Sequence, residues 1–506
     1  MQSPSTGNQP LDDLFEASGS LLRRRPLIVA SNRGPLEYHL TPDGDLRPRR
    51  GSGAIVTALS SITQNFEFTW VANAMGEGDR RASQLAEGGR IRSPLNNQQV
   101  SVRYVVTPRR VYHKFYNILC NPLLWFLQHY MWSSPYTPNV DSVVYDAWET
   151  GYRPVNQAFC EAIISEASQS TTPPIILVQD YHLYLTTGMI KEKIPEAIVE
   201  HFIHIPWPAP HFWQLLPATM RSAICSSLCK ADIVGFQSMT DIANFLESCR
   251  MFLPNCKVDH EENIIEWEGG RTLVRAYPTS IDAEEVRKIA ASPRAMEFDP
   301  RIRSYCGEQT IVRVDRVEPS KNIVRGFRGY QILLAQHPEL HGRVKFLAFL
   351  VPSRTHVKQY ERYQEEIDAL ARNLNTTYGT DDWMPIEIFY ENNYTQALAG
   401  MRLYDVLLVN PVADGMNLVA KEGPVVNTRN GVLVLSEATG AYDQLKGGAI
   451  AVAPADLEGL AHAFYQALTM PSEERKRRND LLIESIETED VTRWIHNQIT
   501  DISRLL

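Results

Sequence analysis

The sequence predicts an α/β protein built from two Rossmann-like domains, with parallel sheets facing each other across a cleft. Three observations carry that expectation. At 506 residues the chain is too long for one hydrophobic core, so two domains of about 200 residues or somewhat more are expected. Short β-branched runs alternate with helical patterns through both halves, the pattern of parallel βα units. Between the halves, Pro278 interrupts regular structure and Asp282-Ala283-Glu284-Glu285 reads as a helix start.

In the first half the strand-like runs are Leu27 to Ala30, Ile175 to Val178, Ile198 to Ile205 and Ile233 to Phe236. The second half repeats the pattern at Thr310 to Val314, Val344 to Leu350, Val406 to Val409, Val432 to Leu435 and Ala449 to Val452. Between them, Ile323, Phe327, Tyr330 and Leu334 recur at helical spacing and predict a helix packed on a sheet. The first 25 residues, rich in Ser, Gly, Asn and Gln, lack the apolar core of a signal peptide and are expected to form a flexible tail.

Composition narrows the function classes. Apolar residues make up 44% and charged residues 22%, the balance of a globular enzyme. A net charge of -9 gives no electrostatic footprint for nucleic acid or an anionic membrane. Arg23-Arg24-Arg25, the arginines between 47 and 50, and Arg80-Arg81 are local exceptions, readable as solvated surface charge or as anion sites. Seven scattered cysteines without a CxxC pair point to reduced thiols and a cytoplasmic protein, and no metal is assigned. No apolar run reaches the ~18 residues that a membrane helix needs.

In an open α/β sheet, ligands bind beyond the carboxyl ends of the strands, so the polar residues there come first. After Val406 to Val409 comes Asn410 to Glu422, where Gly415 permits a tight turn and the next residues open a helix. Free N–H groups at such a start suit a diphosphate, Asp414 suits sugar hydroxyls, and Glu422 suits a ribose diol. A plain strand-to-helix turn would use the same Asp and Gly. Arg316 and Lys321 flank a proline-stiffened loop after another strand, two cations able to stabilise charge on a departing nucleotide diphosphate, or simply solvated. His204 ends the strand before Pro206-Trp207-Pro208, and Asp180 with Tyr181 and His182 ends the preceding one; each is readable as core or as site. Arg33 follows the first strand, Gly51-Ser52-Gly53 lies in a glycine loop soon after, and Arg354 ends a further strand. Phe115, Tyr116, Trp125, Tyr130 and Trp132 form an aromatic stretch, mostly helix core, in which one or two rings can flank a sugar.

Asp180-Tyr181-His182-Leu183, His204-Ile205-Pro206-Trp207-Pro208 and Asp414 to Glu422 resemble the trehalose-6-phosphate synthase family of retaining glycosyltransferases, family 20, from about Leu27 to the C-terminus. The resemblance implies a GT-B fold: an acceptor domain over 26–278, completed by a C-terminal helix over 485–506, and a nucleotide-sugar domain over 279–484. It implies transfer of glucose from UDP- or GDP-glucose to a sugar phosphate such as glucose 6-phosphate, with no cofactor. By motif, Arg316, Lys321, Asp414 and His204 are expected to act on the donor at the reacting centre. Gly53, Met416, Asn417, Leu418, Val419 and Glu422 are expected to bind the donor, and Arg33, Tyr116, Trp125, Asp180 and Arg354 the acceptor. Nucleotide-sugar and sugar-phosphate substrates are the implied partners, and a homo-oligomer stays open.

The chain departs from the family pattern in several places. Gly53-Ala54 stands where two glycines are common, Trp70-Val71-Ala72-Asn73 where a Trp-x-Gly-Trp tract is usual, and Ala413 where an arginine often precedes Asp-Gly-Met-Asn. Arg316-Val317-Glu318-Pro319-Ser320-Lys321-Asn322 and Gly78 to Ser83 are similar to pseudo-glycosyltransferase relatives that join a cyclitol nucleotide to an aminocyclitol phosphate. A glucosylglycerol-phosphate synthase and a non-catalytic sugar-phosphate-binding protein are further alternatives.

Overall fold

The computed structural model describes residues 25–51, 56, 59, 67–94, 100–131, 139–353 and 358–506. Gly53, Trp132 and Arg354 lie outside the described residues. The chain divides into two compact units. One runs to Thr279 and takes in Val491–Leu506; the other is Ser280–Asp490 with a short stretch from His129.

The first unit is organised by a sheet whose described strands run, edge to edge, Lys257–Asp259, Ile264–Trp267, Gly270–Ala276, Ile233–Phe236, Ile198–Phe202, Ile175–Gln179, Leu27–Ser31, Phe68–Asn73, Val100–Val105 and Arg90–Arg92. The middle strands pair in parallel and are buried along their whole length, which is why they are mostly apolar; Ile198–Phe202 departs from that with Glu200 and His201. Ile198–Phe202 stops three residues short of the predicted run to Ile205. The reason is local: the His204 N–H leaves the ladder and donates to the Asp180 carboxylate at 3.2 Å. Helix Val491–Ser503 lays Val491, Trp494, Ile495, Ile499 and Ile502 against Ile198, Phe202 and Tyr277, a stripe of helical period buried on this sheet.

Among the described residues, the second unit holds six parallel strands in the order Ile386–Tyr390, Val344–Val351, Gln309–Arg316, Val406–Val409, Val432–Ser436 and Ile450–Val452. Helix Ile323–Gln336 buries Ile323, Phe327, Tyr330 and Leu334 completely, as the spacing predicts. Each such side chain contributes about 1.5–3 kcal/mol by leaving water. Asp282 caps helix Ala283–Ala290 by accepting the Glu285 N–H at 2.9 Å. Among the described residues no helix is long and apolar enough to cross a membrane.

Candidate active site

In the second unit, the strand Val406–Val409 delivers Asn410 to Leu418 to the carboxyl edge of the sheet, and helix Val419–Val426 follows. Asn417 adopts φ 68°, the left-handed turn that aims the following backbone outward. The backbone N–H groups of Met416, Asn417, Leu418 and Val419 have no hydrogen-bond partner among the described residues; the first N–H of the helix to find one belongs to Ala420, on the Asn417 carbonyl. Four successive free donors at a helix start form an anion cradle. A second loop locks it: Asp414 N–H donates to the Ala438 carbonyl, Gly440 N–H to Asp414 and Ala441 N–H to Met416. A Cβ at Gly440 would stand 1.6 Å from the Gly415 carbonyl oxygen, so only glycine permits that approach.

One cation borders this cradle from the turn Pro319–Lys321, which follows strand Gln309–Arg316. Lys321 Nζ donates to Asp414 Oδ2, which also accepts from Asn417 Nδ2 at 3.1 Å. Burial alone would raise the Asp414 carboxyl, but Lys321 overcomes it and holds the group below the usual carboxylate range. Arg316 is half exposed and pairs at 2.9 Å with the fully buried Glu318, whose Oε1 also accepts from Ser353 Oγ. Farther along, Glu422 Oε1 accepts from the Tyr394 hydroxyl at 2.9 Å, and burial pushes the Glu422 carboxyl up to about 7.

In the first unit, Asp180 ends strand Ile175–Gln179 with φ 73° and ψ 172°, a conformation that is essentially glycine territory. The strained turn is over-determined: Asp180 N–H donates to Phe202 O at 2.7 Å, its carbonyl contacts His201 Nε2 at 3.1 Å, and Oδ1 accepts from His204 N–H. Burial raises the Asp180 carboxyl to about 7. His204 Nε2 lies 2.8 Å from Gln179 Oε1. With the amide assigned in that sense, Nε2 carries the proton and Nδ1 keeps a lone pair for a hydroxyl donor. Burial, with His201 adding to it, drives the His204 pKa down to about 3, so the ring is neutral.

Tyr116 sits on a helix, as expected for the aromatic stretch, but one wound as a π-helix, Lys114–Leu124; Pro122 within it cannot donate to an α-helical ladder. Its ring stacks between Tyr112 at 5.5 Å and His182 at 6.0 Å. Arg33 interacts with the Tyr116 and Tyr112 side chains and lies 3.9 Å from Glu37. Trp125 is buried, 5.8 Å from the Tyr181 ring. Beside Arg33, Asn73 Nδ2 donates to Asn32 Oδ1 at 2.7 Å, and Asp79 accepts the N–H groups of Tyr38, Met75 and Gly76, tying the Gly78 to Ser83 segment to the antiparallel hairpin of strands Leu36–Leu40 and Leu46–Arg50.

Arg33, Tyr116, Asp180 and His204 thus gather in the first unit, and Arg316, Lys321, Asp414, Met416 to Val419 and Glu422 in the second. Sequence reasoning passed over Gln179 and Tyr394, neutral partners with no motif of their own, and gave Glu318 no role although it quoted the residue within the Arg316 to Asn322 motif.

The profile of Glycosyltransferase family 20 matches residues 25–504. The chain belongs to glycosyltransferase family 20. Among the members it resembles, a bifunctional trehalose-6-phosphate synthase/phosphatase of Thermoproteus tenax is 32% identical over 92% of this chain, which spans 62% of that relative's length. A UDP-forming alpha,alpha-trehalose-phosphate synthase of Schizosaccharomyces pombe is 28% identical, with 98% of this chain and 93% of the relative covered. A validamine 7-phosphate valienyltransferase of Streptomyces hygroscopicus is 27% identical over 94% of both chains. The solved structure of the Escherichia coli trehalose-6-phosphate family member bound with UDP-2-fluoro glucose superposes with a TM-score of 0.80 at 25% identity, covering 95% of this chain and 99% of that one. The protein is a family 20 glycosyltransferase of GT-B fold, two Rossmann-like domains with large parallel sheets.

Proposed function

We propose that this glycosyltransferase moves glucose from UDP-glucose or GDP-glucose to glucose 6-phosphate, with retention, giving trehalose 6-phosphate. The observation that carries the reading is the row of four N–H groups at Met416 to Val419 without a partner among the described residues, bordered by the Lys321–Asp414 pair. A diphosphate suits such a cradle, and Glu422, which lies on the same helix, is the residue proposed to hold a ribose diol. The synthases of Schizosaccharomyces pombe and Escherichia coli, similar over nearly the whole chain, support the choice of substrates.

Each group then has a task. Lys321 and Arg316 stabilise the charge that grows on the leaving diphosphate, and the cradle N–H groups share it. Asp414 and neutral His204 accept hydrogen bonds from hydroxyls of the donor sugar. Asp180 holds the acceptor sugar, and Arg33 with Tyr116 and Trp125 surrounds the acceptor and its phosphate. The C1–O bond to the diphosphate breaks as the C1–O bond to the acceptor forms on the same face, and the acceptor hydroxyl proton passes to the departing diphosphate oxygen. No protein nucleophile enters, so catalysis is positioning and charge stabilisation.

A second reading, joining a cyclitol nucleotide to an aminocyclitol phosphate, is favoured by one observation. Asn73 is buried against Asn32, next to Arg33, in place of the usual tryptophan. A panel of donors against acceptors separates the two. Nucleotide release from UDP- or GDP-glucose is expected to require glucose 6-phosphate; release supported only by an aminocyclitol phosphate or glycerol 3-phosphate sinks the first reading.

A further inference from the structure

A charged side chain buried inside a parallel sheet is costly unless it is paired, so a fully buried arginine calls for an account of what it holds. Arg313 is such a residue. It lies on Gln309–Arg316, between Val344–Val351 and Val406–Val409, and is 0% exposed. Asp315, two residues on and so on the same face, accepts from its Nη2 at 2.7 Å and its Nε at 3.1 Å. The rest of the fork is turned toward backbone: Nη2 also donates to the Lys321 carbonyl at 3.0 Å, and Nη1 reaches the Ile323 carbonyl at 3.5 Å. Room for the guanidinium comes from Gly326, where a Cβ would stand 2.4 Å from Nη1.

We propose that Arg313 is a positioning residue for Lys321, acting in two ways from beneath the loop. Its donors fix the carbonyls on either side of Asn322 and so set the point from which the Lys321 side chain leaves toward Asp414. Its charge also engages the Asp315 carboxylate, which would otherwise compete with Asp414 and the diphosphate for the same ammonium. Asp315 feels both Lys321 and Asp414 electrostatically, so the three charges are coupled. Nothing in the proposed chemistry uses Arg313 directly. The inference rests on the role given to Lys321 above, and its test keeps the two apart.

The test uses the full-length chain with UDP-glucose and glucose 6-phosphate. Arg313→Met is expected to lower kcat by about 10- to 100-fold, the scale of a small misplacement, with less than a threefold change in the KM for UDP-glucose. Because that variant leaves Asp315 buried and unpaired, Arg313→Met with Asp315→Asn is made beside it, removing both charges so that folding is retained. If Arg313 only neutralises Asp315, the double variant recovers wild-type kcat and the inference is overturned; continued slow turnover supports it. Guanidinium added at non-denaturing concentration to Arg313→Ala is expected to restore part of the rate, and equal restoration by methylammonium counts against the carbonyl clamp. Finally, the same Arg313→Met change is placed on Lys321→Ala. Little additional loss is expected for residues acting as a unit. A full, multiplicative loss on a slow Lys321→Ala background overturns the inference alone, while a fast Lys321→Ala overturns the reading of Lys321 itself.

Discussion

The Lys321 ammonium is bonded to the Asp414 carboxylate, and Asp414 in turn belongs to the loop that offers the four free N–H groups of Met416 to Val419. One ion pair therefore joins the end of strand Gln309–Arg316 to the turn after Val406–Val409, both adjacent in the second sheet. Before substrate binds, Lys321 is not waiting in solvent but is held at the edge of the anion cradle. Arg316 is held comparably by Glu318.

Preorganised cations of this kind are expected to dominate the rate. Lys321→Ala and Arg316→Ala should each lower turnover by about 100-fold or more, the scale of removing one aimed donor. Steady-state kcat with saturating UDP-glucose and glucose 6-phosphate measures it. Unchanged turnover in both variants contradicts the assignment.

Glu422 gives donor binding a pH dependence. Its carboxyl titrates at about 7 in the free protein, and only the ionised form accepts both hydroxyls of a ribose diol. UDP should bind about tenfold more tightly at pH 8 than at pH 6, since the ionised fraction changes by that factor across a group titrating at 7. Glu422→Gln should flatten the profile. Calorimetric titration of UDP alone keeps Asp180, which titrates in the same range, out of the measurement.

The parts of this site that were readable from sequence are those made by local backbone. A β-branched run, a glycine turn and a helix start put Asp414 to Glu422 at a strand end, whatever lies around them. The parts that were not depend on distant partners. Tyr394 meets Glu422 from 28 residues away and Gln179 meets His204 from 25, and neither residue type announces a ligand. The π-helix under Tyr116 escaped because its apolar residues serve α and π windings alike. Arg313 looked like part of an apolar strand because its neighbours in sequence are valines, while its partners lie across the loop.

Glu200 predicts how stability changes with pH. It is completely buried on strand Ile198–Phe202, neither carboxylate oxygen has a hydrogen-bond partner among the described residues, and burial, with Asp501 of the C-terminal helix adding to it, raises its pKa to about 8. In the unfolded chain the group titrates near the ordinary value of about 4.3. The folded state therefore binds the extra proton, and stability is full below the unfolded value and falls as pH rises toward 8. The loss is on the order of a few kcal/mol. Glu200→Gln removes the titration, so its melting temperature should match the wild type at pH 5 and exceed it at pH 9. Equal curves at both pH values would show that Glu200 stays ionised or reaches water.

Asp180 combines function with backbone strain, and two substitutions separate them. At φ 73° and ψ 172° any side chain costs about 1–3 kcal/mol that glycine does not. Asp180→Ala removes the carboxylate but keeps the Cβ in its strained place; Asp180→Gly removes both. Turnover should fall to the same low level in the two variants, because the acceptor contact is lost in each. Stability should not follow, and Asp180→Gly should withstand more denaturant than Asp180→Ala by an amount equivalent to that strain. Equal midpoints would mean that the turn relaxes once His204 N–H loses its acceptor. In that case the carboxylate, rather than the surrounding sheet, is what imposes the conformation.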